Sequence, residues 1–121
     1  MHEFSLASAL IDQVLRIAER NGLERIDTVE LDVGAMQMVV PEALDAAFAA
    51  VSEGTPAAGA MLKQCEVPAK ARCRACGETY ETTIDRYLCP HCGRADAEIV
   101  SGRDIILKSL TGPVRERGGV T

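Results

Sequence analysis

Two pairs of cysteines constrain this chain more than anything else in it. Cys73 and Cys76 are separated by two residues, as are Cys89 and Cys92, and twelve residues lie between the pairs. A two-residue spacer lets one tight turn aim both sulfurs at a single point. Two such turns make a tetrahedral four-thiolate site, which suits zinc with metal–sulfur bonds of about 2.3 Å. Gly77 and Gly93 directly follow the pairs. Glycine there lets the backbone close in and point N–H groups at the sulfurs. With four cysteines the coordination shell is full, so the site reads as structural rather than catalytic. His91, inside the second turn, is expected to point outward. Cys65 falls outside the pattern and reads as a small hydrophobe.

The segment holding these cysteines interrupts what otherwise reads as one α/β layer. Residues 5–22 form an amphipathic helix, with Leu6, Leu10, Val14, Ile17 and Ala18 at helical spacing. Ser5 is placed to cap it and Asn21-Gly22 to stop it. Residues 25–34 alternate, with Val29, Leu31 and Val33 on one face, as in a half-buried strand. Residues 40–54 form a second helix, opened by Pro41 and Glu42 and closed by Gly54, with Leu44, Ala47, Phe48 and Val51 as its stripe. Residues 60–67 and 103–111 read as strands. The last has apolar residues on both parities, as if covered on both sides. The fold class is therefore α+β: a small domain with two helices on a three-stranded sheet, carrying an inserted zinc-ribbon-like lobe. The expected division is 1–69 with 101–112 for the host domain, 70–100 for the insert and 113–121 for a disordered tail.

Composition narrows the function. The net charge is −5, against the basic footprint that binding a phosphate backbone requires. Between Lys63 and Lys108 eight basic residues meet seven acidic ones, and only Tyr80 and Tyr87 offer stacking surfaces, so a nucleic-acid role is not expected. No apolar run is long enough to span a membrane. The start shows no basic-then-apolar leader, so a cytoplasmic protein with reduced cysteines is expected. No nucleophile–base pair, phosphate-cradling glycine loop or paired catalytic carboxylates stand out, and the chain does not read as an enzyme.

The opening "MHEFSL" holds one of only two histidines. A bulky second residue protects the initiator methionine, which lines up the Met1 amine, the His2 amide and the His2 imidazole as a nitrogen-rich planar chelate. Tetragonal nitrogen sites select Ni(II) or Cu(II). The amide of Glu3 could supply a fourth nitrogen and its carboxylate could orient the cation.

Taken together, "MHEFSL", "VGAMQMVVPEALDAAF", the paired cysteines and "GRDIILKSL" occur in an order that resembles the HypA (HybF) family over residues 1–110. The resemblance implies a nickel metallochaperone of [NiFe]-hydrogenase maturation. It implies nickel carried at Met1, His2 and Glu3, and zinc held structurally by Cys73, Cys76, Cys89 and Cys92. It also implies cooperation with a HypB-type GTPase, delivery to the hydrogenase large subunit and, in some members, supply of urease maturation. The sequence departs from the family at Val40, where relatives often carry an acid, and at Ala46, where they often carry phenylalanine. The alternative reading is a zinc-stabilised adaptor or zinc-ribbon binding module that transfers no nickel.

Overall fold

The computed structural model describes residues 2–83 and 88–114. Met1, Tyr87 and residues 115–121 of the expected tail lie outside the described residues.

The first helix, α1, runs His2–Arg20. It starts three residues earlier than its expected cap, so Ser5 is a helical residue and not the N-cap. Glu3 in the first turn and Arg20 in the last complement the helix dipole. Ala7, Leu10, Ile11, Val14 and Ala18 are buried along one stripe. The second helix, α2, runs Pro41–Ser52 with the proline at its start, and buries Leu44 and Phe48. Gly54 adopts a positive φ of 76° just beyond its end, as a terminating glycine does. The two helices pack against each other.

The first strand, β1 (Thr28–Gly34), buries Val29, Leu31 and Val33 as alternation predicts. β2 covers Met61–Val67. Four more strands follow: β3 (Lys70–Cys73), β4 (Thr79–Glu81), β5 (Ala97–Ser101) and β6 (Ile105–Thr111). They form two three-stranded sheets, ordered β2-β1-β6 and β4-β3-β5. Asp27 donates its N–H to Thr111 and Gly34 donates its own to Asp104, so β1 and β6 run antiparallel.

β6 corrects one expectation. One of its faces is exposed rather than covered: Ile106 is 55 % exposed, and Lys108 is exposed on the same face. Apolar residues on both parities do not by themselves show that both faces are covered; β6 is also an edge strand of its sheet. The start of the expected tail also differs. Pro113 accepts a bond from the Glu24 N–H at 2.8 Å and Val114 bridges to Leu23.

The backbone divides into two compact units. One holds Met1–Glu30, Val39–Lys63 and Leu107–Thr121, and contains both helices. The other holds Leu31–Met38 and Gln64–Ile106. In the second unit β3 pairs antiparallel with both neighbours, setting Ala71 opposite Tyr80 on one side and Ile99 on the other. The cluster around its cysteines is small: Ala71, Cys73, Tyr80 and Cys89, with Ala97 and Ile99 packed against them. Gly102 (φ 76°) is required where it stands. A Cβ there would come within 2.5 Å of the Pro68 carbonyl.

Candidate metal centres

The two cysteine turns are built alike. In the first, the Gly77 N–H donates to the Cys73 carbonyl and the Cys73 N–H donates to the Glu78 carbonyl, each at 2.8 Å. In the second, Gly93 donates to Cys89 at 2.8 Å and Cys89 donates to Arg94 at 2.9 Å. Gly77 and Gly93 take positive φ angles of 82° and 75°. That is the left-handed conformation glycine reaches without a Cβ penalty, and it follows from placing glycine after each pair.

These turns bring the four sulfurs within 4.8 Å of one another. Cys73 Sγ lies 3.5 Å from Cys92 Sγ, and Cys76 Sγ lies 3.6 Å from Cys89 Sγ. A regular tetrahedron with arms of about 2.3 Å has edges of roughly 3.8 Å, so one zinc ion fits among these sulfurs. Cys73 and Cys89 are buried, whereas Cys76 and Cys92 are exposed.

Backbone amides face the sulfurs. The Glu78 N–H lowers the Cys76 thiol, but burial and the three neighbouring sulfurs outweigh it and push the group up to about 12. Burial raises Cys89, yet the N–H groups of Cys92 and His91 and the neighbouring sulfurs bring it down to about 7. A bound divalent cation deprotonates coordinating thiols outright, and the amides then neutralise part of the charge on the tetrathiolate. Tyr80 is raised by burial first and by the four sulfurs next. His91 is exposed, and Cys65 is exposed on β2.

Of the residues expected at the other centre, His2 and Glu3 sit on the first turn of α1. His2 is exposed. The Glu3 carboxylate accepts the Val40 N–H through Oε2 at 3.2 Å. That bond, then the N–H of Glu3 itself, holds its pKa below the usual carboxylate range. Among the described residues, His2 and Glu3 do not gather with a third side chain able to bind a metal; the four cysteines do. The bond from the Val40 amide to Glu3 is not readable in the sequence. The only local signal was that position 40 carries no acid.

Comparison with known proteins agrees with this geometry. Residues 1–112 match the family described as "Hydrogenase/urease nickel incorporation, metallochaperone, hypA". The hydrogenase maturation factor HypA of Chlorobium phaeobacteroides (strain BS1) is 39 % identical over 111 residues, covering 92 % of this chain and 98 % of that protein. The factor of the same name from Chloroflexus aurantiacus (strain J-10-fl) is 40 % identical over 114 residues, covering 93 % and 100 %. The fold is similar to the solution structure of the Ni metallochaperone HypA from Helicobacter pylori. That match has a TM-score of 0.71 at 24 % identity and covers 96 % of this chain and all of the other. Members of this family are nickel-incorporation and maturation factors rather than catalysts, and the four-cysteine cluster of this chain fits a zinc ion. By the family match along residues 1–112 and by these relatives, the chain belongs to the HypA family of hydrogenase and urease nickel metallochaperones.

Proposed function

We propose that this protein carries Ni(II) on the Met1 amine, the His2 amide and imidazole and the Glu3 amide, and delivers it for assembly of the [NiFe]-hydrogenase active site. Cys73, Cys76, Cys89 and Cys92 hold a structural zinc ion that stays in place throughout. A HypB-type GTPase, the hydrogenase large subunit and urease maturation proteins are the partners this role calls for, in the cytoplasm.

The observation that supports the reading is the position of α1, which begins at His2. The first four N–H groups of a helix have no intrahelical acceptor. The amides of His2 and Glu3 can therefore lose their protons to a metal without breaking a helical bond. Two deprotonated amides also neutralise the dication, so the chelate does not oppose the positive end of the helix dipole. An exposed, mostly backbone chelate releases its metal more readily than a buried cage of side chains, as delivery requires.

Calorimetric titration of zinc-loaded protein with a native Met1 tests this. One equivalent of Ni(II) binds tightly. His2→Ala, or residues added before Met1, abolish tight binding, and affinity falls as pH drops below about 7 because protons compete for amine and imidazole. Equal affinity in the extended chain would remove the terminus as the nickel site and leave the zinc-stabilised adaptor.

A further inference from the structure

α2 opens on a residue that cannot cap it. Val40 holds the N-cap position at φ −88°, ψ 111°, with no side-chain cap bond. Pro41 follows at the first helical position and has no N–H to satisfy. The Val40 N–H remains. In a capping box that donor is taken by a Glu or Gln at the third helical position. Here the third position is Ala43, whose methyl group accepts nothing. The acceptor comes from the neighbouring helix, 37 residues earlier in the chain: Glu3 Oε2, 3.2 Å away. The same carboxylate sits in the first turn of α1. It thus lies between two positive helix ends, both of which favour a negative charge there.

We propose that Glu3 is a positioning residue: its carboxylate completes the cap of α2 from the neighbouring helix, and this bond pins the first turn of α1, with the His2 amide and imidazole on it, against α2. The side chain is engaged by Val40 and is not a nickel ligand. Chain ends ordinarily fray. Ligands on a fraying turn must be ordered when the metal binds, and that cost is subtracted from affinity. A turn already fixed to α2 avoids it. The cap itself stands independently of the nickel reading; its effect on nickel rests on that reading.

The test uses the zinc-loaded full chain with a native Met1, compared with Glu3→Gln, Glu3→Ala and His2→Ala. Two quantities are read: the exchange rate of the Val40 amide without nickel, and Ni(II) affinity. Glu3→Ala speeds Val40 exchange roughly tenfold, the scale of one ordinary hydrogen bond, and weakens nickel binding by about the same factor. Glu3→Gln keeps an acceptor oxygen but loses the charge, and falls between the native protein and Glu3→Ala in both. His2→Ala loses nickel but leaves Val40 exchange unchanged. Unchanged Val40 exchange in Glu3→Ala would overturn the cap, whatever happens to nickel. Loss of nickel in Glu3→Gln with Val40 still protected would overturn the positioning role, because the carboxylate would then act on the metal. If the native chain binds no nickel, the nickel reading fails while Val40 exchange still decides the cap.

Discussion

The two units of this protein solve the same folding problem with different materials. The helical unit buries aliphatic and aromatic side chains from both helices: Leu10, Ile11 and Val14 on α1, Leu44 and Phe48 on α2. Around the cysteine turns, the described residues form a small buried cluster of Ala71, Cys73, Tyr80 and Cys89. Two of its four central residues are thus also metal ligands. The first core holds by apolar burial. The second is too small to offset the conformational entropy of its turns, and the zinc ion supplies the difference.

The largest effect expected from this contrast is on zinc removal. Apparent binding free energies of about 10–16 kcal/mol for structural zinc are folding free energy for the segment that depends on it. Cys76→Ser or Cys89→Ser in the full chain should release zinc and collapse the amide dispersion of β3, β4 and β5. The far-ultraviolet signal of α1 and α2 should persist. Acidification acts in the same direction, since protons compete with zinc for the thiolates. One equivalent of zinc retained by both variants would break the comparison.

The complementary variant is Phe48→Ala. Phe48 is 2 % exposed, and truncating such a residue costs about 3–5 kcal/mol. Thermal unfolding followed by helix signal should shift down strongly while zinc stoichiometry stays at one. Loss of zinc in this variant would mean that the cysteine turns lean on the helical core.

The smallest effect belongs to the ion pairs flanking the cysteine turns. Arg72 bonds Glu98 at 2.6 Å on paired positions of β3 and β5, and Arg74 bonds Asp96 at 3.2 Å. All four side chains are substantially exposed, and such pairs contribute little. The Arg72 bond and charge lower the Glu98 pKa. Its small contribution is therefore present above the ordinary carboxylate range and lost as pH falls through the lowered value. Arg72→Ala should barely move the melting temperature at neutral pH, and should move it not at all at pH 2.

The parts of this structure legible in the sequence were those whose cause is local. Cysteine spacing and trailing glycines determine a turn within five residues, so the clustering of the four cysteines could be read directly. The same holds for the alternation of Val29, Leu31 and Val33, and for Pro41 at the head of α2. Features set by distant partners could not be read. Sheet order makes β6 an edge, and no pattern within residues 105–111 encodes that. β3 and β5 hid in the sequence because small residues such as Ala71 and Ala97 carry their inward positions. Ser5 matched a cap by type, but the helix start was set further upstream. The Glu3–Val40 bond joins residues 37 apart through a backbone donor, which leaves no side-chain signature.

In the proposed function one chain holds two metals by unlike chemistry: a sulfur cage that stays and a nitrogen chelate that gives up its cargo. X-ray absorption at the nickel and zinc edges of a single sample, loaded with one equivalent of each metal and bearing a native Met1, tests it most directly. Four sulfur neighbours are expected around zinc, and four nitrogen donors around nickel. Sulfur in the nickel shell, or nitrogen replacing sulfur around zinc when nickel is added, would contradict it.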